Sequence, residues 1–184
     1  MRKLNVFNFI TLNGFFAGPG GDISWNQHGP EQNQHAANGL QGNSILLFGR
    51  VTYQMMAGFW PTPQAMQQMP EVAEGMNKAE KIVFSNTLKK ADWNNTRIIS
   101  GDIGKAVKEL KATEGKDLTI LGSGSIVTLF SDLGLIDSYQ IMINPVALGQ
   151  GTPIFHNIKQ QLNLKLTHSS ILKNGIVVLD YIPA

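Results

Sequence analysis

Apolar side chains fall on both faces of residues 4–12, LNVFNFITL, the pattern of a strand buried on each side. SILLFG (44–49) is a second such run. Between them, GPGGD (18–22) reads as a loop, and the polar stretch over residues 30–41 as a short helix. RVTYQMMAGFW (50–60) has helical spacing and stops at Pro61. Residues 63–79 place Met66, Met69, Val72, Ala73 and Met76 three and four apart, predicting one helix with a single apolar stripe. Methionines in such a stripe read as core filler. KIVFS (81–85) and RIIS (97–100) predict two further strands. Asp102 can cap a helix that carries Ile103, Val107 and Leu110 on one face and lysines on the other. LTILG (118–122) is a fifth strand that runs into a helix ending near Asp132. SYQIMINPVA (138–147) is a sixth, with Pro145 near its end. In the tail, Asn174-Gly175 between two apolar runs predicts a hairpin. Strands alternating with helices predict an α/β fold, a mainly parallel central sheet flanked by helices with a C-terminal antiparallel hairpin. No repeat, low-complexity tract or linker divides the 184 residues, so 1–184 reads as one domain.

Composition narrows the function classes. A net charge of +2 without a lysine or arginine cluster gives no footprint for nucleic acid. The absence of cysteine excludes disulfides, thiolate metal sites and cysteine nucleophiles. His28, His35, His156 and His168 show no paired ligand spacing, so no metal site is expected. GSGS (122–125) lacks the spacing of a serine-hydrolase elbow. The start MRKLNVFNFITLNGFF has the charge order of a secretory leader, but Asn5, Asn8 and Asn13 interrupt it and its alternation suits a strand. No apolar run is long enough to span a bilayer. Asn94-Asn95-Thr96 matches a glycosylation sequon, read as chance without a leader. The expectation is a cytoplasmic protein with a small-molecule substrate, no nucleic acid and no membrane.

In parallel sheets covered by helices, ligands sit at the carboxyl ends of the strands, and three candidate sites fall there. In LLFGRVTYQ (46–54), Gly49 lets the backbone turn closely, Arg50 offers a guanidinium fork and Thr52 a hydroxyl in the first helical turn. A glycine-marked boundary with a surface arginine accounts for the same residues. In VFSNTL (83–88), Ser85 and Asn86 could donate to a phosphate or ribose oxygen, or cap a turn. In DLTILGSGSIVTLF (117–130), a strand passes through Gly122, Ser123, Gly124 and Ser125 into a helix whose first N–H groups are unpaired. Those donors favour an anion, although a tight strand-to-helix joint explains the glycines as well. Taken together, the three strand ends offer the groups a dinucleotide needs.

These segments, in order, resemble the stand-alone relatives of the C-terminal reductase domain of riboflavin biosynthesis, which share the dihydrofolate reductase fold. FITLNGFFAGPGGDISW, LLFGRVTY and KIVFSNTL are similar to the family's first three motifs. The most specific piece is LGLIDSYQIMINPVALGQGTPIF, where Gly-Leu-Ile-Asp, Asn-Pro-Val and Leu-Gly-x-Gly-x-Pro-x-Phe arrive together. The resemblance implies NADPH as cofactor and a homodimer. By position it implies that Arg50 and Thr52 meet phosphates, Ser85 and Asn86 the adenosine 2′-phosphate region, and Gly122 to Ile126 the pyrophosphate. The nicotinamide would lie near Ala17 and Leu121, beside a substrate pocket of Asp22, Trp25, Asn144, Pro145 and Gly149 to Gly151. Asn86 stands where the family often has arginine, so one cation for a 2′-phosphate is missing. After Trp25 the chain reads NQHGPEQNQ, with only Glu31 near the place where dihydrofolate reductases carry a pterin-gripping carboxylate. Asp22 is the candidate catalytic group, either touching substrate or making an Asx-type turn. The leading reading is hydride transfer to a small heterocycle, of the 5-amino-6-(5-phosphoribosylamino)uracil reductase type. The alternatives are a nucleotide-binding protein without turnover and a pterin or dihydrofolate reductase.

Overall fold

Alternating strands and helices build an eight-stranded sheet in the computed structural model, which describes residues 1–41 and 44–184. In chain order the elements are β1 (Leu4–Thr11), β2 (Phe15–Ala17), α1 (Pro30–Gln41), β3 (Ile45–Gly49), α2 (Arg50–Phe59), α3 (Pro63–Gln68), α4 (Pro70–Lys78), β4 (Lys81–Phe84) and β5 (Thr96–Ile99). They continue with α5 (Ile103–Ala112), β6 (Leu118–Leu121), α6 (Gly124–Asp132), β7 (Ser138–Asn144), β8 (Thr152–Pro153), β9 (Leu164–Ile171) and β10 (Val177–Pro183). The sheet order is β5-β4-β3-β6-β1-β7-β10-β9. Pairing is parallel from β5 through β7, while β10 runs antiparallel to both β7 and β9. The fold is thus the expected α/β architecture, a mostly parallel sheet with an antiparallel pair at one edge.

The apolar runs explain the layering. Along β3, Ile45 and Leu47 face one side, into a cluster with Ile120, Val127 and Phe130, whereas Leu46 and Phe48 face the other, against Tyr53, Val72 and Met76. A parallel strand between two helical layers must be apolar on both faces, as this run is. Each fully buried side chain of this kind contributes about 1.5–3 kcal/mol. Asp102 caps α5 as its position predicts, its Oδ1 accepting from the Lys105 N–H at 2.9 Å.

Three features depart from the sequence pattern. The single helix expected over 63–79 is two, because Pro70 has no N–H to donate and holds Met69 outside the helical region, at φ −143° and ψ 64°. The break rotates α3, so Met66 is 44 % exposed instead of lying in the stripe. β7 ends at Asn144, before Pro145. A two-stranded sheet, β2 with β8, was not signalled by either short segment. There Gly151 packs so closely that a Cβ would lie 2.6 Å from the Ala17 carbonyl oxygen.

Lys81 is the largest charged group in the interior, 1 % exposed at the start of β4. Its ammonium donates to the carbonyls of Met76, Asn77 and Ala79 at 2.6–3.3 Å, closing the C-terminal end of α4. It also lies 4.4 Å from the centre of the Trp93 ring. Burial pushes its pKa down to about 8. Among the described residues, no helix is long and apolar enough to cross a membrane, and no group of three acidic or histidine side chains could hold a metal ion.

Candidate active site

The end of β6 turns sharply. Gly122 (φ +59°) and Ser123 (φ +61°) both adopt the left-handed region before α6 begins at Gly124. For serine that conformation costs about 1–2 kcal/mol. Two bonds offset it: the buried Ser123 hydroxyl accepts from the Gly49 N–H at 3.0 Å and donates to the Leu121 carbonyl at 3.3 Å. The hydroxyl therefore does not cap its own helix. Among the described residues, the N–H groups of Ser123, Gly124 and Ser125 have no protein acceptor. Successive open N–H groups at a helix start form a concavity for an anion. Side chains are kept out of it: a Cβ on Gly122 would lie 3.1 Å from Thr52 Cγ2, and one on Gly124 2.5 Å from the Phe16 ring.

The start of α2 meets the same place. The Cβ position of Gly49 is 3.8 Å from the hydroxyl oxygens of both Ser123 and Ser125. Two helix N-termini thus converge at adjacent strand ends, both with positive dipole ends. They open onto a cleft of about 1080 Å³ that continues across the sheet beneath α1.

Many of the expected residues come together there. Gly49, Arg50, Thr52 and the run from Leu121 to Ser125 line one end of the cleft, with Ala17 and Trp25 beside them. Arg50 is exposed at the mouth, its Nη1 donating to Gln54 Oε1 at 2.8 Å. Trp25 is half-buried and donates its indole N–H to the Asp22 carbonyl at 3.1 Å.

Others lie elsewhere. Asp22 faces solvent and does not line the cleft. Its carboxylate accepts from the Ser24 N–H and hydroxyl, both at 3.0 Å, and these bonds hold its pKa below the usual carboxylate range. That is the Asx-type turn, in a state unsuited to giving a proton. Ser85 caps a turn, accepting from the N–H groups of Thr87 and Leu88. Asn86 accepts from Gly101 N–H at 2.8 Å, one strand beyond the cleft lining. Ile126 is 4 % exposed and belongs to the core. Asn144 is fully buried, its Oδ1 accepting from Gln27 N–H, while Pro145 and Gly149 are exposed and outside the lining. Gly151 serves the contact between β2 and β8. The late loop lines the cleft through Thr152, Pro153, His156 and Asn157 instead. Glu31 accepts from Lys173 N–H at 2.7 Å and does not line the cleft.

Sequence reading missed the sheet floor under α1. Asn5, Thr119, Ser138, Gln140 and Asp180 line it, from four different strands. Asn8 was missed too: it is 2 % exposed, lines the cleft, and its Oδ1 has no hydrogen-bond partner among the described residues. Polar residues inside apolar strands were the available signal, most plainly Asn5 and Asn8 in β1.

The fold is an α/β sheet in which two helix N-termini meet at adjacent strand ends, the place where such sheets hold ligands. The chain belongs to the RibD C-terminal domain family, whose model matches residues 2–178. It is 31% identical over 180 residues to the uncharacterized protein YyaP of Bacillus subtilis (strain 168), covering 98% of this chain and 94% of that one. The fold is similar to that of a diaminohydroxyphosphoribosylaminopyrimidine deaminase/5-amino-6-(5-phosphoribosylamino)uracil reductase from Thermotoga maritima, with a TM-score of 0.69 and 12% identity. That match covers 100% of this chain and 57% of the other. It is also similar to dihydrofolate reductase from Enterococcus faecalis in complex with NADP(H), with a TM-score of 0.64, 16% identity, and 98% and 96% of the two chains covered.

Proposed function

We propose that this chain is an NADPH-dependent reductase that transfers hydride to a small heterocyclic substrate. The observation that carries the reading is the open run of N–H groups at Ser123 to Ser125 facing the start of α2. Family membership and the fold shared with an NADP(H)-binding dihydrofolate reductase support it. The cofactor, when bound, supplies the hydride; the protein supplies binding, orientation and a dry site. The N–H groups of Ser123, Gly124 and Ser125 hold the pyrophosphate, with Arg50 and the Thr52 hydroxyl adding phosphate contacts. Ala17 and Leu121 flank the nicotinamide. Phe16 and Trp25 exclude water from the side of the β2 loop. The test is a fluorescence titration with NADPH, then NADPH oxidation against pterins, dihydrofolate, quinonoid compounds and phosphoribosylaminopyrimidines. Absence of NADPH binding at millimolar concentration sinks the reading.

A second reading, nucleotide binding without turnover, draws on one observation. The candidate catalytic carboxylate, Asp22, is tied to Ser24 and outside the cleft. Tight NADPH binding with no oxidation by any compound in the panel favours it. We further propose a homodimer, supported by Leu166 (48 % exposed) and Ile171 (77 % exposed) on the open edge strand β9. Light scattering at micromolar concentration tests this; a monomer alone counts against it.

A further inference from the structure

The cleft end away from the glycine cradle has a recognition chemistry of its own. Across the sheet, Leu121 pairs with Phe7, Phe7 with Gln140, and Gln140 with Asp180. Three strand spacings put Asp180 roughly 14 Å from Leu121. The neighbouring row joins Thr119, Asn5 and Ser138, where the Ser138 hydroxyl donates to Asn5 Oδ1 at 2.7 Å. Gln140 is held at both ends of its amide. Its Nε2 donates to Asp180 Oδ1 at 2.7 Å, and its Oε1 lies 2.9 Å from His35 Nε2. A carboxylate only accepts, so the amide nitrogen faces Asp180 and the oxygen accepts the histidine N–H. His35 is itself fixed by stacking on Phe7, with ring centroids 6.2 Å apart and planes at 19°. Among the described residues, Asp180 has no lysine or arginine partner, and its Oδ2 accepts no hydrogen bond. Arg50 and Asp180 are the only lysine, arginine, aspartate or glutamate side chains among the described residues that line the cleft. The cation stands at one end and the carboxylate at the other.

We propose that Asn5, Ser138, Gln140 and Asp180 form the substrate-recognition subsite, and that it takes an unphosphorylated planar heterocycle bearing amino or ring N–H donors. The inference rests on the reductase reading, which assigns the cradle end to the cofactor. The open Asp180 oxygen accepts from the heterocycle, and such charge-assisted bonds are about twice as strong as neutral ones. A phosphate at this end meets a carboxylate and, among the described residues of the lining, no lysine or arginine, so phosphorylated substrates are disfavoured. Gln140 is a positioning residue that acts through Asp180, with His35 orienting its amide.

Calorimetric binding of 5,6-diaminouracil, with and without NADPH, tests the subsite against 5-amino-6-(5-phosphoribosylamino)uracil as the phosphorylated counterpart. The parent protein binds the unphosphorylated compound more tightly. Asp180→Asn weakens that binding about ten- to a hundredfold and leaves NADPH affinity unchanged. Gln140→Leu has a smaller effect that disappears in the Asp180→Asn background, a coupling that a general loss of packing does not give. Ser138→Ala reads the same floor from β7 if the Asp180 variant folds poorly, with a loss of about threefold. No binding of 5,6-diaminouracil at millimolar concentration, equal binding by Asp180→Asn, or tighter binding of the phosphorylated compound overturns the proposal. Asp180-dependent binding in a protein that does not take NADPH keeps the subsite and removes the reductase reading. NADPH binding with no effect of Asp180 does the reverse.

Discussion

At the glycine-lined end of the cleft the donors are main-chain N–H groups of Ser123, Gly124 and Ser125, whereas the sheet-floor end presents the side chains of Asn5, Ser138, Gln140 and Asp180. The first set is fixed by backbone shape and survives most side-chain changes nearby. The second is one substitution away from a different chemistry. A cofactor common to many reactions suits the former, and a substrate that differs between relatives suits the latter. The two ends also differ in charge, with Arg50 at one and Asp180 at the other.

Reshaping the backbone should have the largest effect. Gly122→Val forces a β-branched residue to φ +59° with its Cβ 3.1 Å from Thr52 Cγ2. We expect about a hundredfold loss of NADPH affinity. Binding of 5,6-diaminouracil should stay within about threefold of the parent. Equal losses for both ligands would erase the distinction between the ends. Arg50→Ala comes next: removing a charge-assisted phosphate contact should weaken NADPH about ten- to a hundredfold, by fluorescence titration. An unchanged affinity would mean that the arginine, bonded to Gln54, stays at the surface. Smaller still is Asn86→Arg, which restores a cation at an exposed position. The ratio of NADPH to NADH affinity should rise about two- to fivefold, and a flat ratio would remove Asn86 from the 2′-phosphate region.

Lys81→Met touches neither end and should leave both affinities alone, but it alters the response of stability to pH. The folded-state pKa of Lys81, about 8, lies below its ordinary value of 10.5. Between those values the unfolded chain binds more protons, so this group makes stability rise with pH across the window. Relative to the methionine variant, the parent should gain on the order of 2–3 kcal/mol from pH 8 to 10.5 in urea titrations. A pH-independent difference would show that the three carbonyls and the Trp93 ring hold the charge without penalty.

Legibility in the sequence followed the same division. The strands were readable because buried parallel strands leave continuous apolar runs, as in residues 45–48. The cradle was readable because Gly122 to Ser125 are consecutive, and a strand-to-helix turn is a local event. The sheet floor was not, since residues 5, 138, 140 and 180 meet only through strand register. Nor does a sequence reveal which way a loop carboxylate turns. Asp22 chose Ser24, two residues away, over the cleft. Pro70 did carry its signal, but an uninterrupted spacing of apolar residues across it outweighed the missing N–H in the reading of 63–79.

The bond from Gly49 N–H to the Ser123 hydroxyl has a thermodynamic consequence. It joins residues 74 apart in sequence and ties the start of α2 to the turn that precedes α6. A ligand that enters finds the receiving groups already aligned, so little conformational entropy is lost when it docks. Affinity for the proposed nucleotide would then come from contacts alone, undiminished by the work of ordering a loop. The strain held in Ser123 is spent during folding, before any ligand arrives.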